Sequence, residues 1–118
     1  MKRVSKIFVL LAGLAGCGGG VHIAPSSGPS CSGTQQGIQF CVDFLGATAA
    51  QFADLENGCV TQLNGTFSSG PCDRNGVVAG CLANSTPQEV TWFYSDSGLT
   101  PSQVQKVCSQ QNQTFATP

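Results

Sequence analysis

Charged side chains are scarce in this chain, at 9% of 118 residues, with five Lys and Arg set against six Asp and Glu. Gripping a phosphate backbone takes several clustered cations, so nucleic acid is not expected as a partner. Histidine is all but missing. The single His22 lies near the N-terminus, whereas Ser-His or Cys-His catalysis needs a base held beside its nucleophile. Metal-type spacing is missing as well: no two cysteines stand roughly two to four residues apart, as zinc sites prefer. There is no phosphate-binding glycine loop either, so neither a metal nor a cofactor is expected. Finally, the chain lacks a long hydrophobic run. Its one sizeable stretch, Ile7 to Ala15, is too short to span a bilayer as a helix.

What surrounds that stretch is specific. Lys2, Arg3 and Lys6 make a basic start, the apolar run follows, and Leu14-Ala15-Gly16-Cys17 closes it, so residues 1–16 read as a signal peptide. Leu14-Ala15-Gly16-Cys17 resembles the lipobox of bacterial lipoproteins at every position. The resemblance implies cleavage after Gly16 and acylation of Cys17 by palmitate-type chains, giving a membrane-anchored, extracytoplasmic protein whose lipid partner is held through Cys17. Gly18 in place of aspartate implies the outer membrane if the cell is Gram-negative. Losing residues 1–16 removes three cations and leaves Arg74 and Lys106 against six carboxylates, a net charge of −4. Attraction to anionic lipid is then weak, and the acyl chains must anchor the protein, at ~0.8 kcal/mol per buried CH₂.

With Cys17 set aside, Cys31, Cys41, Cys59, Cys72, Cys81 and Cys108 remain. An even number in an oxidising compartment points to three disulfides. Each contributes about 2–4 kcal/mol, comparable with the about 3–5 kcal/mol that a core this small supplies. Six cysteines allow about fifteen connectivities. Cys59 with Cys72 is the pair expected first, because the chain leaving Leu63 through Gly65 and Gly70 could fold back by one helical turn.

Residues 17–37, with Gly18-Gly19-Gly20 and Pro25-Ser26-Ser27-Gly28-Pro29-Ser30, read as a flexible tether carrying the acylated cysteine. The roughly thirteen residues before Cys31 reach roughly 20 Å as a random chain. The domain is expected over residues 38–118, with Cys31 tied to it. Phe40, Val42 and Phe44 alternate, which predicts a strand over 39–44. Thr48 is a candidate N-cap for a helix carrying Phe52, Leu55, Cys59 and Leu63, stopped by Asn64-Gly65 and weakened by Gly58. Residues 66–76 read as a loop. Strands at 77–82 and 89–94 flank the turn Asn84-Ser85-Thr86-Pro87 as a hairpin. Thr100-Pro101-Ser102-Gln103 is the strongest helix start, with Val104, Val107 and Cys108 on its inner face. The expected fold is α+β: a small, mainly antiparallel sheet with both helices on one face, stapled by disulfides.

The stretch from Cys59 to Thr66-Phe67 echoes that from Cys108 to Thr114-Phe115. Two helices ended by the same asparagine chemistry explain this slightly more simply than a duplication. The elements Cys41-Val42-Asp43-Phe44, Gly70-Pro71-Cys72, Val78-Ala79-Gly80-Cys81 and Trp92-Phe93-Tyr94 resemble a loose group of small six-cysteine bacterial lipoproteins, a group that implies location and fold but no activity.

Six acids, Asp43, Asp54, Glu56, Asp73, Glu89 and Asp96, read as solubilising charge more readily than as a catalytic pair. Asp73-Arg74-Asn75-Gly76 has the composition of an exposed turn. Trp92 and Tyr94 are the candidate binding residues, on the alternative that their face is an exposed aromatic patch; burial in the core is the preferred reading. The expected function is a non-enzymatic module binding an envelope protein or polysaccharide, or supporting envelope structure. A small hydrolase, or a protease inhibitor with Ser68 to Asn75 as its reactive loop, is the contrasting expectation.

Overall fold

Residues 20–118 are described here by a computed structural model, and the expected lipid site, Cys17, lies outside them. In chain order the elements are β1 (Val21–His22), β2 (Ser30–Gln35), β3 (Ile38–Leu45), α1 (Phe52–Gln62), β4 (Thr66–Ser68), β5 (Val77–Ala83), β6 (Gln88–Tyr94), α2 (Pro101–Gln110) and β7 (Thr114–Thr117). The strands form one seven-stranded sheet in the order β1-β7-β5-β6-β3-β2-β4. Every neighbouring pair is antiparallel except β1 with β7. The domain is therefore a strand-rich α+β structure. No helix among the described residues is long and apolar enough to cross a membrane.

Local chemistry sets the helix ends. The Thr100 hydroxyl accepts from the Gln103 N–H at 3.2 Å, and the Thr100 N–H donates back to Gln103 Oε1 at 2.8 Å, with Pro101 at the first helical position. Thr48 donates likewise to Gln51 Oε1 at 2.8 Å, opening a short 3₁₀ turn that leads into α1. Gly58 does not stop α1, which runs on to Gln62. Asn64 and Asn112 then take positive φ values of 52° and 57°, the left-handed geometry that ends helices. After each asparagine the chain donates back to a helix cysteine, Gly65 to the Cys59 carbonyl at 3.0 Å and Gln113 to the Cys108 carbonyl at 2.8 Å.

The three disulfides are Cys31–Cys59, Cys41–Cys72 and Cys81–Cys108. The expected Cys59–Cys72 pair is thus incorrect. Thr66–Ser68 does not loop back onto α1 but pairs with Ser30–Ser32 as β4, which carries the chain along the sheet edge and away from Cys59. Cys72 then meets Cys41, whose side chain alternates away from Phe40 and Val42.

The tether reading needs a larger correction. Ser30–Gln35 is an internal strand between β3 and β4. Upstream, the Phe44 N–H donates to the Pro29 carbonyl at 3.1 Å, and Pro29 is buried. Ile23 donates to the Thr117 carbonyl at 2.9 Å, and β1 pairs Val21 with Ala116. The domain therefore includes the chain from at least Val21 onward.

Its two halves repeat one motif. β2-β3-α1-β4 and β5-β6-α2-β7 each place a strand cysteine, Cys31 or Cys81, in a disulfide to its own helix. The partner of that cysteine across the outer strand is Phe67 in one half and Phe115 in the other. Across the inner strand it is Val42 or Thr91. Val42 and Thr91 in turn pair with each other, flanked by Phe40–Phe93 and Phe44–Glu89. The register is self-complementary, as an approximate twofold requires. The echo between the helices thus extends well beyond a shared way of ending them.

Candidate functional site

Alternation along β3 and β6 divides the core. Phe40, Val42 and Phe44 cluster with the Cys31–Cys59 disulfide, Leu55, Leu63 and Phe67. Val104 and the Cys81–Cys108 disulfide form a second cluster with Leu99, Val107 and Phe115, and Phe93 packs against both. Cys41, Cys72, Val90, Trp92, Tyr94 and Ala116 make a third, with Ile23 and Leu82 packed on it. Cys41 pairs across the strands with Trp92, and Asp43 with Val90.

Asp43 sits in this last group and is fully buried. Such a carboxylate is costly unless it is paired and hydrogen-bonded. Both conditions are met. The Trp92 indole Nε1–H donates to Asp43 Oδ2 at 2.9 Å, and the Cys72 backbone N–H donates to Oδ1 at 2.8 Å. Arg74 Nη2 lies 3.6 Å from Oδ2. The guanidinium also stacks over the indole, 4.5 Å from its centroid, a cation–π contact. Its remaining donors reach Ile23 O at 2.9 Å and Ala24 O at 3.1 Å. One arginine thereby joins the N-terminal segment, the Cys72 loop and the central strands. Trp92 fits because its cross-strand partner is Gly80, where a Cβ would stand 2.6 Å from the indole.

Trp92 and Tyr94 do not form the exposed aromatic patch of the alternative reading, although an edge of Tyr94 lines the polar cavity described below. Trp92 is 0% and Tyr94 8% exposed, and the Tyr94 hydroxyl donates to the Asp73 carbonyl at 2.6 Å. Burial, then Asp73 and Asp43, raise the Tyr94 phenol above its ordinary value, against an opposing pull from Arg74. The segment from Ser68 to Asn75 is braced through the Cys41–Cys72 disulfide. Ser30 Oγ donates to the Gly70 carbonyl at 2.7 Å, and Cys72 is buried.

Beside the Cys41–Cys72 disulfide opens a cavity of about 330 Å³, lined by Ser30, Ser32, Gln39, Ser68, Asp73, Asn75, Tyr94 and Asp96 among others. Hydroxyls, amides and two carboxylates give it donors and acceptors for a hydroxyl-rich or peptidic ligand. It does not assemble a carboxylate dyad from Asp43 and Glu89. Glu89 pairs with Phe44 and shares its face, while Asp43 alternates to the other. Partial burial raises the Glu89 carboxyl above its ordinary value. No group of three or more potential metal-binding side chains forms among the described residues.

Two participants depart from the sequence expectation: Arg74 reaches inward from its turn to the buried pair, and Asp43 is buried where a solubilising charge is expected. The available signal was the position of Asp43, inside an alternating run and next to a cysteine, where an unpaired acid would be expelled. The chain matches no protein-family model, no curated protein and no solved structure.

Proposed function

We propose that this protein is a lipid-anchored, extracytoplasmic binding module, held at the membrane through acylated Cys17 and presenting a disulfide-stapled domain to the cell envelope. The observation that carries this reading is the basic, apolar and Leu14-Ala15-Gly16-Cys17 succession ahead of six cysteines that pair off among themselves. The polar cavity beside Cys41–Cys72 is its binding site, and a segment of envelope polysaccharide, rich in hydroxyls, is the ligand class its lining favours. No chemical step is assigned to the site.

In the same reading both helices cover one face of the sheet, which leaves the Asp43 face to the cavity and the N-terminal segment. Two features support this arrangement. Phe93 is shared by the clusters under the two helices, and directly paired residues of the self-complementary register point to the same side.

Radiolabelled palmitate tests the anchor. The natural chain should incorporate it and fractionate with membranes, and Cys17→Ser should do neither. Co-sedimentation with purified envelope polysaccharide tests the site. Binding should weaken in a Gln39→Ala, Asp96→Ala double variant of unchanged stability. Binding that is absent, or indifferent to these changes, refutes the polysaccharide assignment.

A further inference from the structure

We infer that the domain lies against the lipid surface in one orientation, with the β5–β6 hairpin toward the headgroups and the Gln39–Asp96 end of the cavity pointing away. This inference rests on the acylation of Cys17 proposed above.

Few residues separate the proposed lipid from the described domain. Cys17 and Gly20 are three residues apart, and at roughly 3.3–3.6 Å per residue that distance is at most about 11 Å. From Gly20 onward the backbone is held. A Cβ at Gly20 would stand 2.6 Å from the Phe115 carbonyl oxygen, so the chain there runs in contact with β7. Val21 and His22 pair with Ala116 and Thr117, and Arg74 fastens Ile23 and Ala24. A lipid on Cys17 therefore pulls on a fixed point at the rim of the sheet.

That rim is identifiable from the strand register. β1 runs parallel to β7, so the chain enters at the Thr114 end of β7. Thr114 pairs with Leu82, next to the hairpin that joins β5 to β6. Gln39, Ser95 and Asp96 occupy the opposite end of the strands, where Val77 pairs with Tyr94 and Gln35 with Ile38. The turn Asn84-Ser85-Thr86-Pro87 and the approach to β7, Gln110-Gln111-Asn112-Gln113, are polar. Charge does not separate the two ends, because Glu89, paired with Ala83, stands beside the hairpin while Asp73 and Asp96 line the cavity. The short connection to the point where β1 enters is therefore what sets the orientation.

Energy transfer to the bilayer tests the orientation. A fluorophore is attached through a genetically encoded azide at Ser85 or, in a second variant, at Gln35. The full-length lipidated protein is reconstituted into phosphatidylcholine–phosphatidylglycerol vesicles that carry a headgroup acceptor dye. Transfer should be several-fold greater from position 85 than from 35, and a long flexible insertion between Gly19 and Gly20 should abolish the difference. Equal transfer from both positions of protein whose mass shows the lipid on Cys17, or a difference that survives the insertion, overturns the inference. The same comparison on a chain that begins at Cys17 and is coupled through its thiol to a maleimide lipid tests the geometry by itself. If only this coupled form shows the asymmetry, the orientation stands and the cellular acylation of Cys17 falls.

Discussion

Replacing Asp43 by alanine removes the acceptor for two buried donors. Trp92 Nε1–H and the Cys72 N–H both point at the carboxylate, at 2.9 and 2.8 Å. Trp92 is completely buried, so water cannot take the place of the lost oxygen without opening the core. Each stranded donor costs about 1–3 kcal/mol. The Arg74 side chain, 21% exposed, keeps some solvation and adds less. A loss of about 3–5 kcal/mol is expected for Asp43→Ala, in line with other broken buried pairs, out of about 5–15 kcal/mol for a whole domain. Asp43→Asn should cost about half as much, since its one carbonyl oxygen serves only one of the two donors. Urea unfolding with the disulfides intact, followed by far-ultraviolet circular dichroism, gives these differences from the shift in midpoint at constant slope. A double-mutant cycle with Trp92→Phe isolates the indole bond, and its coupling energy should reach about 1 kcal/mol. An Asp43→Ala variant within about 1 kcal/mol of the natural protein would refute the account, because an idle carboxylate could then be removed at little cost.

Gly58→Ala should stabilise the domain by about 1 kcal/mol, since the added Cβ meets nothing within 4 Å; calorimetry on the oxidised protein should show a higher Tm. Glu89 binds its proton more tightly folded than unfolded, so stability should fall as pH rises from the ordinary carboxylate range through the raised folded value. Glu89→Gln should flatten that slope and stabilise at neutral pH, which urea midpoints measured across pH will check. Proteolysis without reductant should yield three disulfide-linked fragments joining Cys31 to Cys59, Cys41 to Cys72 and Cys81 to Cys108, and a fragment joining Cys59 to Cys72 would contradict the structure.

Elements whose cause is local were legible in the sequence. β3 follows from the alternation of Phe40, Val42 and Phe44, and α2 begins where Thr100, Pro101 and Gln103 said it would. The β5–β6 hairpin follows from two apolar runs around a turn. β2 was not legible, because Ser30-Cys31-Ser32-Gly33-Thr34-Gln35 contains no sizeable apolar side chain. It is held instead by strands on both sides and by the disulfide from Cys31. The tether was misread for the same reason. Its Gly, Ser and Pro content describes a chain with nothing to bury, yet its backbone is held by Phe44, Arg74 and Thr117, all distant in sequence. Disulfide connectivity is non-local in the same way, since it depends on which side of the sheet a strand presents its cysteine.

The repeated motif shows where a function can reside. Around the Val42–Thr91 pair the halves are alike: each supplies a strand cysteine bonded to its own helix and a phenylalanine at matching places. Those likenesses serve folding, because each half buries its own helix with its own staple. On the Asp43 face the halves differ. Stepping one residue past Val42 and Thr91 gives Asp43 in one half and Trp92 in the other, and these two unlike residues bond to each other. Cys41 has Val90 as its counterpart, which frees it to hold Cys72 and with it the wall of the polar cavity. Arg74 belongs to the connection between the halves and has no counterpart within either, yet it joins the asymmetric pair to the segment that leads toward Cys17. The polar cavity draws its lining from both halves, Ser30, Ser32 and Gln39 from one and Tyr94 and Asp96 from the other, and from Asp73 and Asn75 of the connection. It therefore lies beside the residues by which the halves differ and beside the connection that ties them to the proposed anchor.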